Sequence, residues 1–375
     1  MSEPGVLARR TAVTVRLVVP DGIDDPGHPS GGNVYDRELA TALRALGVDV
    51  VESPVAGRWP RATAVSDSAL VRALAEVPDG GLVLVDGLVG LGCPHALEDE
   101  QRRLPIWLLV HLPLGLEDGA TSQTRADERR ALLAAHGIVT TSAWTRRWLL
   151  ATYALDPERV HVAHPGVRPA RLATGTPHGG HLLTVGAVVP AKGQDVLMAA
   201  LAELADLLWV ARIAGPVDRA PSFVSRLRGD ADEVRLAMRV RLDGPLTPTA
   251  LAAAYAAADL LVLPTRLETY GMVVTEALAH GIPVVASDVG GVAEALGAAP
   301  DGRLPGVLVP PGDQTALAAA LRRWLTDPAW REDLRGAARA RRDELTGWPE
   351  TARRVRDALT GPGRRHGRPP AGVSA

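Results

Sequence analysis

Short apolar runs alternate with amphipathic stretches along almost the whole chain. In the first half the runs fall at residues 11–20 (TAVTVRLVVP), 81–86 (GLVLVD), 104–111 (LPIWLLVH), 137–141 (GIVTT) and 160–163. In the second half they fall at 181–185 (HLLTV), 208–213, 240–242 and 259–264 (DLLVLP), just before Gly290-Gly291, and at 306–309. Unbroken apolar runs of this length are the pattern of strands buried on both faces of a parallel sheet. Between them the period lengthens to that of helices. Val34, Leu39, Ala42, Leu43 and Leu46 make one stripe that ends at Gly47, with Asn33 as its expected cap. Further helices are expected at 127–136, after Ser142, near 222–230, at 249–258, after Gly271 and from 314 onward.

Strands and helices therefore alternate in two successive sets, and no period of about 20 to 50 residues repeats, which excludes a solenoid. His164-Pro165-Gly166-Val167 marks the boundary between the sets, and the polar, glycine-rich stretch 173–180 fits a linker. The expected fold class is α/β, with two Rossmann-like domains, residues 1–167 and 168–346, facing each other across a cleft. From 361 to 375 the chain is rich in proline and glycine, and Arg364, Arg365 and Arg368 have no acidic neighbours, the composition of a disordered basic tail.

In open sheets of this kind, ligands bind beyond the carboxyl ends of the strands, where helix N-termini offer N–H groups to anions. Residues 261–291 place two carboxylates there, Glu268 in the turn before a helix and Glu276 inside its second turn. A solvated loop acid and a surface helix acid fit that spacing equally well. Gly31-Gly32 would let a phosphate or sugar approach the backbone closely, yet without G-x-G-x-x-G the dinucleotide fingerprint is absent and a plain tight turn also explains the pair. His111 ends its strand on the ligand side, a position where a structural histidine is the commoner case. Lysine usage is more pointed. Of 41 basic residues only Lys192 is a lysine, and it falls in a strand-to-helix loop. Apart from chance survival, this marks a need for a compact ammonium that the planar arginine fork does not meet.

A formal net charge of -2 argues against a general nucleic-acid binder. The single cysteine, Cys93, excludes an internal disulfide and any cysteine-based metal site, and suits a cytoplasmic protein. Arg9 and Arg10 precede an apolar run, but Arg16 interrupts it, so a signal peptide is not expected; no run approaches the roughly 20 residues that span a bilayer. Trp144 and Trp148 lie one turn apart beside Arg146 and Arg147. Core packing with a solvated charged side is one reading; a weak peripheral contact with the inner face of a membrane is the other.

Taken together, Gly31-Gly32, VGAVVPAKG at 185–193, the E-x7-E element from Glu268 to Glu276 within ETYGMVVTEALAHGIPVVASDVGG, GVLVPPGD at 306–313 and Gly347-Trp348-Pro349-Glu350 resemble the retaining glycosyltransferases of family 4, which have the GT-B architecture. The resemblance covers nearly the whole chain and is densest from 182 to 313. It implies a metal-independent transfer from a nucleoside diphosphate sugar to an acceptor hydroxyl on a saccharide, a lipid or a small metabolite, with no cofactor. By the same resemblance Glu276 holds the ribose hydroxyls and Glu268 lies beside the donor sugar. Lys192 and the backbone N–H groups of Tyr270, Gly271, Met272 and Val273 bind the diphosphate. Gly31 and Gly32 approach the donor from the other domain, His111 contacts its sugar, and a helix at 347–360 crosses back to the N-terminal domain. The catalytic set implied is Glu268, His111 and Lys192. The acceptor is expected around 21–30 and 111–118. Ala187 departs from the family, which usually has an arginine there, so one diphosphate contact is either missing or supplied elsewhere, by Arg266 or Arg212. If that departure is a sign of decay, the alternative is a non-catalytic subunit that only binds the sugar nucleotide.

Overall fold

A computed structural model describes residues 13–59, 63–233 and 236–361. They form two six-stranded sheets, parallel throughout. The first contains β1 (Thr14–Pro20), β2 (Asp49–Val55), β3 (Leu82–Asp86), β4 (Ile106–Val110), β5 (Gly137–Thr140) and β6 (Val160–Val162). The second contains β7 (His181–Val185), β8 (Val210–Ala214), β9 (Val240–Gly244), β10 (Leu260–Leu263), β11 (Val284–Ser287) and β12 (Gly306–Val309). The unbroken apolar runs behave as their composition demands: β3, β4, β10 and β11 are buried at every position, with helices on both faces.

β2 is the strand that the hydrophobic pattern hides. It lies at the edge of its sheet, its exposure alternates, and it carries Asp49, Glu52 and Pro54. An edge strand can solvate acids on one side and tolerates a proline that lacks a ladder donor. The first strand begins at Thr14 instead of residue 11, and residues 11–12 lie outside the described part, as does the expected basic tail beyond Gly361.

Strand order decides where a ligand fits. The sheets run β2-β1-β3-β4-β5-β6 and β12-β11-β10-β7-β8-β9. The direction of winding reverses between β1 and β3 in one and between β7 and β10 in the other, and at such switch points the loops part to leave a crevice. The loops after β7 and β10 carry Lys192 and Glu268. The loops after β1 and β3 lead to Gly31 and Gly87.

The last helix, Trp348–Thr360, turns Trp348, Ala352, Val355 and Leu359 into the core of the N-terminal sheet beside Leu17, Tyr35 and Leu39. The Trp348 ring meets Tyr35 edge-on at 5.3 Å. The chain passes so close to the domain boundary that a Cβ on Gly166 would sit 2.3 Å from Trp348 N. The segment 173–180 is pinned at its end: buried Asp259 accepts from Thr176 Oγ1 at 2.6 Å and from His181 N at 2.9 Å.

Candidate functional site

Two loops build the C-terminal wall. After β7 the chain makes a short turn at Pro190–Lys192, and Gly193 leaves it with a φ of +67°. Glycine is required there on two counts, the left-handed backbone and a Cβ that would stand 1.9 Å from Pro264 O. The loop after β10 grips this turn: Ala191 O accepts from Arg266 N at 2.8 Å and from Thr265 Oγ1 at 3.0 Å. The result brings Lys192 Nζ to 2.7 Å from Glu268 Oε2. From the opposite side Gly291 N donates to Glu268 O at 3.2 Å, and a Cβ on Gly290 would collide with that carbonyl at 1.6 Å.

The helix Met272–Ala279 starts from Gly271 at a φ of +95°, with no side chain capping its first N–H groups. Free N–H groups at a helix N-terminus are suited to an anion. Glu276 lies inside this helix, half-buried, and Tyr255 OH donates to its Oε2 at 2.7 Å. Burial pushes its carboxyl above the usual range, with the Tyr255 hydroxyl opposing. The Tyr270 side chain turns the other way, stacking on His164 at 5.7 Å and lining a recess with Glu294, Arg341 and Arg354.

The N-terminal wall corrects one expectation. The helix Gly31–Ala45 is capped by Ser30, whose Oγ accepts from Asn33 N at 3.1 Å, and not by Asn33. Gly31 and Gly32 are thus first-turn residues of the helix. A Cβ on Gly31 would stand 3.5 Å from Met272 Sδ, so this turn faces the start of the other domain's helix. A Cβ on Gly32 would stand 3.2 Å from His111 Cδ2. His111 follows β4, meets the Tyr35 ring edge-on at 5.0 Å, and places Nε2 2.8 Å from Asp36 Oδ1.

The two arginines expected to stand in at Ala187 are already engaged. Arg266 holds Asp195 with both nitrogens at 2.7 Å and also donates to Pro190 O. Arg212 pairs with Asp243 at 2.6 Å. The Ala187 carbonyl accepts from Gln194 Nε2 at 2.9 Å. Lys192 is the predicted cation that the structure sets beside Glu268.

Sequence reasoning missed four residues here. Asp36 and Asp86 are buried near His111, and Tyr255 is the partner of Glu276. Glu294 reaches across the domains to accept from Ala143 N at 2.8 Å and Trp144 N at 3.1 Å, capping the helix Ala143–Tyr153, and also bonds His164. Asp86, a charge closing the apolar run GLVLVD, was the one with a legible signal. The other three depend on long-range pairing. Asp36, Asp86 and His111 also offer ligand atoms within 4.8 Å of one another, but the contacts they make already are those of a hydrogen-bonded network. Trp148 packs edge-on to Tyr153 against the N-terminal core, as the core reading of that helix expects. Among the described residues no helix is long and apolar enough to cross a membrane.

Two family models match the chain: "Glycosyltransferase Family 4" over residues 82–171 and "Glycosyl transferases group 1" over 179–341. The chain is 34% identical to D-inositol 3-phosphate glycosyltransferase 1 of Catenulispora acidiphila, over 94% of its own length and 95% of that protein. It is 30% identical to the D-inositol 3-phosphate glycosyltransferase of Jonesia denitrificans, over 92% and 94% of the two chains. Among solved structures it superposes on sucrose-phosphate synthase of Thermosynechococcus elongatus with a TM-score of 0.75, at 23% identity, over 92% of this chain and 97% of that one. It superposes on Anabaena HepE in complex with UDP-glucose with a TM-score of 0.71, at 18% identity, over 92% and 99%. With two sheets wound about facing switch points and this full-length similarity, the chain belongs to the family 4 glycosyltransferases and has their GT-B fold.

Proposed function

We propose that the protein moves a sugar from a nucleoside diphosphate sugar to an acceptor hydroxyl, with retention of anomeric configuration and without a metal ion. The observation that carries this reading is the Lys192–Glu268 pair beside an uncapped helix N-terminus whose next turn holds Glu276. Lys192 and the amides of Tyr270 to Val273 take the diphosphate, Glu276 the ribose hydroxyls, and Glu268 lies beside the sugar ring. Gly31 and Gly32 close over the donor from the facing domain, with His111 at a sugar hydroxyl.

The chemistry suits these groups. Breaking the glycosyl phosphate bond leaves negative charge on the diphosphate and positive charge at the anomeric carbon. An ammonium and a helix N-terminus offset the first; the Glu268 carboxylate accommodates the second. A leaving phosphate oxygen takes the acceptor's proton on the same face, so no carboxylate has to act as nucleophile. Crystal structures of Anabaena HepE with UDP and with UDP-glucose support the donor class. The names of the curated relatives make D-inositol 3-phosphate the first acceptor to try. In the loops at 21–30 and 111–118, Asp24 is paired with Arg37 and Asp25 with His28, so the charge of both acids is balanced, and unphosphorylated polyols belong in the same panel.

The test incubates UDP-, GDP- and ADP-sugars with these acceptors in the presence of EDTA and reads the product's anomeric proton by NMR. An α-linked donor is expected to yield an α-linked product at an undiminished rate. Inversion, or loss of the reaction to EDTA, overturns the mechanism, and binding without transfer to any acceptor identifies a binding subunit instead.

A further inference from the structure

Behind His111 lie two carboxyl groups that the transfer chemistry does not use. Asp36 sits in the helix Gly31–Ala45, four residues beyond Gly32, and Asp86 is the last residue of β3. Both are about 1% exposed. Asp36 Oδ1 receives His111 Nε2 at 2.8 Å, and Asp86 Oδ1 accepts from Leu88 N at 2.7 Å. Asp36 Oδ2 is fully buried with no hydrogen-bond partner among the described residues, and atoms of Asp36, Asp86 and His111 lie within 4.8 Å of one another. Two bare carboxylates this close, cut off from water, repel each other at great cost, and one proton between them removes both that repulsion and the orphaned oxygen. The charges facing the pair are few. Arg37 and Tyr35 flank Asp36 on its own helix, and His111 faces both acids from the end of β4.

We propose that Asp86 and Asp36 share one proton and act as a single positioning unit for His111, with Asp86 donating to Asp36 and Asp36 accepting from His111 Nε2–H. The inference rests on the reading of His111 as a donor-sugar contact. A neutral imidazole that donates through Nε2 has Nδ1 left as an acceptor. The Asp36 side chain is fully buried while that of His111 is 16% exposed, so the ring is anchored at one edge and reaches the cleft with the other. Held in this tautomer, His111 reads a hydroxyl, which can donate, and is a poor partner for a phosphate oxygen, which cannot. The diphosphate is thereby left to Lys192 and the facing helix. Burial raises both carboxyls well above their usual range, and because Asp36 already accepts from His111 the proton rests on Asp86. Burial also lowers the His111 imidazole, which keeps the ring neutral.

The test has one readout that needs no turnover. Histidine 15N spectra of the wild type, with His111 assigned by loss of its signals in His111→Gln, are expected to show the Nε2–H tautomer near pH 7.5. Asp86→Asn, whose amide donates to Asp36 without titrating, is expected to keep that tautomer, and Asp36→Ala to lose it. In transfer assays Asp36→Ala is expected to lower kcat at least tenfold with the donor KM changed less than threefold, Asp36→Asn to recover part of the loss, and Asp86→Asn to remove the alkaline limb of the kcat profile. A wild-type His111 that is Nδ1–H or doubly protonated overturns the proposal, and so does an Asp86→Asn profile that superimposes on the wild type. Stoichiometric uptake of zinc or manganese that Asp36→Ala abolishes would also overturn it, making the cluster a metal site. If no sugar donor reacts at all, the reading of His111 fails while the spectra still decide the proton arrangement.

Discussion

Lys192 Nζ lies 2.7 Å from Glu268 Oε2, so the only lysine of the chain is neutralised by the carboxylate assigned to the sugar ring. On the proposed reading, a diphosphate that enters has to draw the ammonium away from that carboxylate, and the two anions then stand on either side of one cation. Glu268→Gln removes the competitor and keeps the shape. It is expected to bind free UDP at least threefold tighter by calorimetry, about 0.6 kcal/mol, while transfer falls at least a hundredfold. Weaker UDP binding in this variant would mean that Glu268 orients Lys192 instead of competing for it.

If Glu276 holds the ribose as proposed, donor binding is expected to depend on pH. Its folded carboxyl titrates above the usual range because of burial, with Tyr255 opposing. Only the ionised carboxylate accepts from both ribose hydroxyls, so affinity for the nucleotide is expected to rise as pH increases through that raised value and then level off. The stability sign is opposite. A raised carboxyl keeps more protons folded than unfolded, so its contribution is greatest below the ordinary carboxylate range and declines as pH rises through the folded value. Calorimetry from pH 5 to about 8, with Glu276→Gln as the flat control, checks the binding half.

The first-turn glycines admit a cheap steric test. Gly32→Ala places a Cβ 3.2 Å from His111 Cδ2, close enough that the ring must give by a few tenths of an ångström. Alanine is the better helix former, so stability is expected to stay within about 0.5 kcal/mol of the wild type. The rate is expected to fall about tenfold through the displaced ring, as near-attack geometry tolerates little error. An unchanged rate would remove His111 from the site.

Much of the fold is legible because parallel strands buried on both faces leave unbroken apolar runs, as in GLVLVD and DLLVLP. β2 is hidden by the same physics, since an edge strand with Asp49, Glu52 and Pro54 has one side in water. The proposed donor wall is legible for a different reason: Glu268, the helix N-terminus and Glu276 lie within one short stretch, and Lys192 stands out by composition alone. Asp36, Tyr255 and Glu294 could not be read in this way. Each acts through a partner between 21 and 151 residues away, and neither their residue type nor their spacing marks them. The cap on the first helix was misplaced because Ser30 and Asn33 are both good caps, and only the backbone shows which of them stands outside the helix.

Glu294 ties the domains together and should do so only when ionised. Burial works against its charge, but the bond to His164 and the amides of Ala143 and Trp144 outweigh it, holding the carboxyl below its usual range. A depressed carboxyl stabilises above the unfolded value and loses that contribution as pH falls through the folded one. Glu294→Ala is expected to cost about 1–3 kcal/mol at pH 7, with the gap to the wild type closing as the solution is acidified through pH ~4 and below. Thermal unfolding across that range checks it, and a gap independent of pH would assign the loss to packing.

The most direct test of the donor site is a calorimetric titration of UDP-, GDP- and ADP-sugars into the wild type, Lys192→Ala and Glu276→Ala, with folding of each variant verified. The account predicts that at least one donor binds the wild type and that each substitution weakens it at least tenfold, about 1.4 kcal/mol. Binding that survives both substitutions unchanged, or no binding of any donor to the wild type, would contradict it.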